Sequence, residues 1–518
     1  MRAPRPASRI PSPQRNPLPP PPHRRGPLSA PTSSAPNSTD IAQIEAAFQR
    51  KRAELGVRID FPAEVVREAD EAAKRDPAAL ADMTEVPFIT IDPPGSRDLD
   101  QALCIQPAEG GGFRLWYAIA DVGFFVDRGG AVEAEAWLRA LTFYAPDLRA
   151  PVYPPSLSQG AASLLADQLT PAIVFAFELD AGAEIRTLRI QRARVRSRAQ
   201  LTYEQALGHV ESGGKTFAEP WALSLLELKR FGEERRKRET ERGGVSLPIL
   251  DQHVERAAAK RLGYAVEYEQ PNAAEDWNAQ VSLLTGHAAA LRMLEGRVGL
   301  LRTMPPPEEK RVELFRRVAR TLGFKWDDGT SYAEFVRSLD PEHPRVTPLL
   351  WQARRVSRGS DYVAFDGEPP ADPLHHALAM PYAHVTAPLR RLADRYVLDL
   401  LVQLEAGGRP SPAEVETLCR LPRVMNDTET RANKLERGVV DIAEAWTLRG
   451  CEGKLFAATV LDARGSHVEV QIEEPAVRVQ ASGGGAKPEI GGRVQVRLDA
   501  VSLEDGRMEF SVAGENGT

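Results

Sequence analysis

A chain of 518 residues, 42% hydrophobic and 27% charged, has length for several domains and the texture of a globular protein. No run of about 18 apolar residues occurs, which argues against a helical membrane span, and three scattered cysteines, Cys104, Cys419 and Cys451, argue against a disulfide framework or zinc site and fit a reducing cytoplasm. The formal net charge of −6 carries no global polyanion signature, so any nucleic-acid partner must be held by local basic patches.

Residues 1–39 contain no Asp or Glu, are dense in proline and carry Arg2, Arg5, Arg9, Arg15, Arg24 and Arg25. Such a segment cannot bury enough apolar surface to offset the entropy of ordering, so a disordered tail is expected. Residues 40–86 read as three short helices. The first sets Ile41, Ile44 and Phe48 on one face. The second is capped by Asp60, with Val65, Val66, Ala69 and Ala73 inward, and the third covers about Pro77–Met83. Short helices with tight connections suit either a helix-turn-helix-like module or a packing arm for the next domain.

At residue 87 the texture changes to strand. Phe88-Ile-Thr-Ile leads into Asp92, then Pro93-Pro94-Gly95, then Asp98 and Asp100. Mutual repulsion makes such a carboxylate cluster costly unless a cation sits among them. Hard oxygen ligands on a tight turn suit Mg²⁺, which ordinarily arrives with a phosphate. Phe113–Ile119 and Ala172–Leu179 follow as buried strands, with a helix over Ala131–Leu141 between them. In Arg192-Ala-Arg-Val-Arg-Ser-Arg198 a period of two puts Arg192, Arg194, Arg196 and Arg198 on one face of a strand. That face is either a solvated edge or a groove wall tracking a nucleic-acid backbone.

From 205 to 450 helices dominate, including about Glu275–Leu294, Glu308–Leu322, Pro388–Leu404, Ala413–Leu421 and Met425–Leu448. In Tyr382–Arg395, Thr386 is placed to cap a helix with Pro388 in its first turn, which would set Arg390 and Arg391 beside free backbone N–H groups. A helix N-terminus plus guanidinium is a phosphate clamp. Two arginines there oppose the helix dipole, which favours a ligand-facing role. Residues 452–518 alternate short strands with Gly-rich turns and should close into a small OB-like barrel. With only Phe456 and Phe510 as aromatics there, its contribution to binding should be mainly electrostatic.

Two motifs, Thr90-Ile-Asp-Pro-Pro-Gly-Ser-Arg-Asp-Leu-Asp-Gln-Ala-Leu103 and Tyr382–Arg391 with Asp394 after it, resemble in order and separation those of the ribonuclease II/R family of processive 3′→5′ exoribonucleases. Trp116–Val122 and Leu435-Glu-Arg437 support the match. The resemblance covers about 87–450 as an RNB-type catalytic domain, and 452–518 resembles the family's terminal S1-type barrel. It implies an α+β multidomain protein: a helical N-terminal module, a mixed α/β catalytic domain and an all-β OB/S1-type barrel. It also implies hydrolysis of RNA to nucleoside 5′-monophosphates with Mg²⁺, Mn²⁺ being the alternative, in cytoplasmic RNA and mRNA turnover.

Carried over position by position, the resemblance implies that Asp92, Asp98 and Asp100 hold Mg²⁺ and the scissile phosphate, with Asp100 nearest the chemistry. Tyr144 would stack on the 3′-terminal base. Arg390, with Arg391 beside it, would steady the reacting phosphate, and Glu436 would contact the end of the RNA. Tyr203 and Gln280 would read the ribose. Gln101 stands where the family has a fourth aspartate, keeping an oxygen ligand for the metal but removing a charge. The family's second base-clamp aromatic would fall in Val245–Ile249, which has none. Residues 40–86 are too few and too helical for the paired cold-shock barrels many relatives carry there, so a less enclosed channel entrance is expected. The implied partners are single-stranded RNA and structured RNA with a 3′ overhang, met by a monomer with no membrane partner. Two readings from other classes stay open at this level: a non-catalytic RNA-binding protein on an exonuclease scaffold, and a DNA-binding regulator built on 40–86.

Overall fold

The computed structural model describes residues 38–515, apart from positions 246, 248–250, 258–261, 270–271, 341–342, 344, 357–358, 465, 473 and 484–487. The expected Pro/Arg-rich tail, as far as residue 37, lies outside the described residues. Helix α1 (Ser38–Glu54) buries Ile44, Ala47 and Phe48 against Leu435, Val439, Ile442 and Trp446 of the last long helix. Helix α2 (Ala63–Ala72) sends Val65, Ala69 and Ala72 into the main core of the next domain. Where a third helix was expected there is one 3₁₀ turn, Pro77–Ala79, and then Ala81–Asp82 pairs in parallel with Ala193–Arg194. These elements share no core of their own, so the segment is a packing arm and not a free-standing helix-turn-helix module.

The main body is organised on five strands: β1 (Phe88–Ile91), β2 (Gln101–Pro107), β3 (Phe113–Ala120), β4 (Leu169–Leu179) and β5 (Ile185–Leu201). They are rich in aromatic and β-branched residues, which fit a pleated surface. Successive antiparallel pairings join β1 to β2, β2 to β3, β3 to β4 and β4 to β5, and β5 returns in parallel to β1, so the sheet closes on itself. Strand β5 therefore has a partner on both sides and is not an edge.

Helices α3 (Leu223–Glu241) and α4 (Ala273–Gly296) pack on this sheet. Asn272 caps α4 by accepting the N–H groups of Ala274 and Glu275, and Glu275 Oε1 accepts the Asn272 N–H in return. Strands β6 (Val298–Thr303) and β7 (Asp361–Asp366) form an antiparallel pair. Between them in sequence run α5 (Glu309–Thr321), α6 (Tyr332–Arg337) and α7 (Val346–Ala353), which gather a separate core of Phe315, Trp326, Phe335 and Leu349. Helix α8 (Leu392–Glu405) follows, and α9 runs unbroken over Pro412–Leu448. A break near Pro422 was expected, because proline removes one helix bond. Burial of Leu418, Leu421 and Met425 on either side of it outweighs that loss.

Strands β8 (Leu455–Arg464), β9 (His467–Ile472), β10 (Val477–Ser482), β11 (Arg493–Val501) and β12 (Met508–Glu515) form a closed barrel in the order β8-β9-β10-β12-β11. Val460, Val470, Val477, Val496 and Leu498 fill it. The closed barrel is as expected; its strands were legible in the sequence at about Leu455–Leu461, His467–Ile472, Arg493–Leu498 and Met508–Val512, and β10 was not. Among the described residues no helix is long and apolar enough to cross a membrane.

Candidate active site

The acids lie where β1 leaves the sheet and β2 re-enters it. Pro93 and Pro94 have no N–H with which to continue a ladder, and Gly95 sits at φ +79°, a region that glycine adopts without strain. Asp100 is buried, 5% exposed. Its Oδ1 accepts the Leu389 N–H at 2.7 Å, and its Oδ2 lies 3.5 Å from Arg390 Nε. Asp98 accepts from Arg149 Nη1 at 2.8 Å. The Asp92 carboxylate has no hydrogen-bond or ion-pair partner among the described residues.

Burial dominates the electrostatics here. It pushes Asp92 up to about 6, with the Asp98 charge adding to it and Arg390 opposing. It pushes Asp100 up to about 8 against the pull of Arg390 and the Leu389 amide, while Asp394 and Asp98 add to the rise. Among the described residues no three acid, imidazole or thiol groups close into a ready metal cage. As a donor set, though, three hard carboxylates short of compensating charge fit a hard divalent cation.

Gln101 takes another part. Its Oε1 accepts the Tyr117 hydroxyl at 2.5 Å and faces Ser282 Oγ at 3.3 Å, and the two hydroxyls lie 2.8 Å apart. The oxygen expected to ligate the metal is thus engaged by hydroxyls. The amide nitrogen has no partner among the described residues.

The second motif does not begin a helix at Pro388. Helix α8 starts at Leu392, and Arg391, expected in its first turns, is extended at φ −133°. Thr386 is buried, and among the described residues it caps no helix, the N-cap position of α8 being Arg391. The amides that a helix start would leave free are taken: Ala387 N–H donates to Asp394 at 2.8 Å and Leu389 N–H to Asp100. Arg391 lays Nε and Nη2 on Asp394, so its guanidinium holds the loop and does not reach for a ligand. The same loop docks on the residues before Tyr144, with Thr142 N–H donating to Arg390 O at 3.0 Å and Leu392 N–H to Ala140 O at 2.9 Å. That docking brings Tyr144 and Arg390 to one place. Tyr144 is paired across a two-residue ladder with Arg149, whose guanidinium lies 5.6 Å from the ring centroid, and Tyr144 stays 45% exposed.

Asp92, Asp98, Asp100, Gln101, Tyr144, Tyr203, Arg390 and Arg391 all line one cavity of about 1620 Å³. The description "RNB domain" matches residues 80–406, and "RNase II-type exonuclease C-terminal S1 domain" matches 454–513. The chain belongs to the RNB family. Ribonuclease R of Escherichia coli (strain K12) is 25% identical over 484 residues, covering 86% of this chain and 58% of that protein. The chain therefore spans under two thirds of that relative's length. The structure of Mycoplasma genitalium RNase R in complex with ribose methylated single-stranded RNA superposes with a TM-score of 0.80 at 18% identity, over 91% of this chain and 78% of that one. Yeast Ssd1, titled a pseudonuclease, gives 0.65 at 17% identity, over 88% and 58%. At these identities both speak for the RNB fold alone.

Other expected positions of the RNB domain lie away from the cavity wall. Gln280 is buried, with Nε2 3.4 Å from Glu239 Oε2. On α4 it is Glu275, Asn278, Ala279 and Ser282 that face the cavity, and Gln280 falls on the helix's core side with Trp277, Val281 and Leu284. Glu436 is exposed on α9 and outside the lining, because Leu435 and Val439 turn inward there. Three of the four expected arginines of β5 have partners within the protein. Arg192 pairs with Asp121 and with Asp399 at 2.9 Å, Arg194 pairs with Asp82 at 2.7 Å, and Arg198 donates to Thr84 O. Arg196 also lies outside the lining. Arg192 and Arg194 are thus turned to acids of neighbouring segments, and none of the four lines the cavity. Of the Val245–Ile249 stretch, Val245 and Leu247 pack on the α5–α7 core, and the other three positions lie outside the described residues. Sequence reading had no signal for Arg149, Tyr117 or Ser282, which meet the site only through the fold.

Proposed function

We propose that this chain hydrolyses single-stranded RNA from its 3′ end, processively, to nucleoside 5′-monophosphates, in cytoplasmic RNA turnover. The observation that supports this reading is the convergence of three acids, Arg390 and an exposed Tyr144 on one cavity. At about 1620 Å³ it exceeds the roughly 300–1,000 Å³ of a small-molecule pocket and suits a strand.

Tyr144 receives the 3′-terminal base on its exposed ring. The last phosphodiester then falls between Arg390 and the acids. When bound, Mg²⁺, with Mn²⁺ as the alternative, would be held by Asp92, Asp98 and Asp100, and it supplies Lewis-acid polarisation and a water of lowered pKa. The Leu389 amide fixes Asp100 Oδ1, which sets the orientation of the other oxygen. Arg390, about half exposed on its side chain, aims the guanidinium where charge grows on the phosphate oxygens. The Gln101 amide N–H donates to a non-bridging oxygen without adding charge. Stacking and phosphate contacts read no sequence, so little base preference is expected.

The test is 5′-labelled unpaired RNA incubated with the protein and Mg²⁺. A short limit product with free 5′-monophosphates is expected. RNA that is bound but left intact sinks the reading and favours the second one, an RNA-binding protein without turnover. The hydroxyl-locked Gln101 in place of an acid is the observation on that side.

A further inference from the structure

The wall of the cavity away from the acids comes from two other parts of the chain. Helix α7 contributes Val346, Thr347, Leu350 and Trp351, positions that share one helix face. The barrel contributes Gln471 and Arg478, which stand directly opposite each other on β9 and β10. Trp351 has a guanidinium near its ring on two counts, Arg478 at 4.0 Å and Arg354 at 5.1 Å from the centroid. Its indole N–H has no partner among the described residues, so packing and not a hydrogen bond holds the ring.

Neighbouring residues of α7 and the turn after it bond to the barrel. Gln352 Nε2 donates to Leu461 O at 2.7 Å, and Arg355 pairs with Asp462 and, at 2.9 Å, with Glu469. Neither position lines the cavity, and Trp351 takes no part in those bonds. Nor has the barrel an aromatic of its own to offer, since Phe456 and Phe510 meet edge-on at 6.3 Å and pack with its core. An indole stacked with a planar cation on the wall of a strand-sized cavity matches the face of a nucleobase with a phosphate beside it.

We propose that Trp351, with the Arg478 guanidinium over its ring, forms a second nucleotide station, where an unpaired base upstream of the scissile end stacks. This deepens the exoribonuclease reading and rests on it for the direction of the strand. A strand seated there touches the catalytic body and the barrel at once.

The test uses the full chain carrying Asp100→Asn, so that RNA is held uncut, and two 5′-labelled unpaired oligonucleotides. One is long enough to reach from the acids to Trp351, and the other is too short. Trp351→Ala is expected to weaken the long oligonucleotide about tenfold, within the range that stacking one base contributes, and to leave the short one unchanged. Trp351→Phe should recover most of that loss, and Arg478→Lys, which keeps the charge but not the plane, should fall between. Equal losses at both lengths, or none at either, overturn the station. With Trp351 intact, 5-iodouridine stepped along the strand should photo-crosslink to the Trp351 peptide from an internal position and not from the 3′-terminal one. Crosslinks elsewhere only overturn the proposal whatever the variants do. The two readings fail separately: no mononucleotide release by the unmutated chain sinks the exoribonuclease reading, whereas release with no length dependence in Trp351→Ala sinks the station alone.

Discussion

The backbone N–H of Leu389 donates to Oδ1 of Asp100 at 2.7 Å, across 289 positions of sequence. That one bond joins the acid loop to the arginine loop. It also explains why the second loop forms no helix at Pro388: its amides have partners in Asp100 and Asp394 that a regular helix start would not meet. Arg390 follows the donor directly, so its guanidinium is delivered to the same carboxylate.

Asp100→Asn keeps an oxygen for the Leu389 amide and removes the charge. Turnover should fall by roughly 10²–10³-fold, the size of effect seen when one charge-stabilising group is lost, while RNA is still bound. Single-turnover cleavage of unpaired RNA beside a binding isotherm checks this. Near-normal cleavage would show that Asp100 is not at the chemistry.

Gln101→Asp puts a fourth carboxylate beside the three and should tighten cation binding by about tenfold, or 1.4 kcal/mol. The Mg²⁺ concentration for half-maximal cleavage should drop, and calorimetric Mn²⁺ titration should move with it. Unchanged titrations in both would mean that the Tyr117 hydroxyl keeps the new carboxylate turned from the metal.

Arg192 faces Asp121, which is 1% exposed, and Asp399. Arg192→Ala leaves a buried acid without its cation, so a loss of about 3–5 kcal/mol in unfolding free energy is expected, with RNA affinity unaltered at temperatures where the variant is folded. Loss of affinity with stability intact would restore the groove-wall reading.

Glu444 on α9 accepts from Gln252 Nε2 at 2.7 Å and from the Arg478 N–H at 3.0 Å, at the seam of body and barrel. Burial pushes it up to about 7, opposed by those two bonds. The folded state thus holds a proton that the unfolded chain releases near 4.5. Its contribution to stability is fully present below about 4.5 and is lost as pH rises through about 7, on the order of 3 kcal/mol in all. Glu444→Gln keeps the acceptor without the charge, so its melting temperature should exceed that of the unmutated chain at pH 8 and match it at pH 5. An equal offset at both pH values would count against a buried, proton-holding Glu444.

What the sequence determined by itself was local in cause. The Asp92–Asp100 spacing is set by Pro93, Pro94 and Gly95, which turn the chain whatever surrounds them. The barrel follows from alternation and turn residues, apart from β10. The helix expected over about Glu275–Leu294 is α4, Ala273–Gly296, to within a few residues. Which partner each side chain meets was left to long-range packing. Periodicity put four arginines on one face of β5 but could not say that Asp121, Asp399 and Asp82 wait there. Helix spacing could not orient α4, so Gln280 turned into the core while Asn278 took the wall. Cap chemistry at Thr386 was legible and was overruled, because a buried carboxylate far along the chain needed the same amides. Gln101 shows both sides: its departure from an acid was plain in the sequence, yet only the Tyr117 and Ser282 hydroxyls beside it show which end of the amide is left for a ligand.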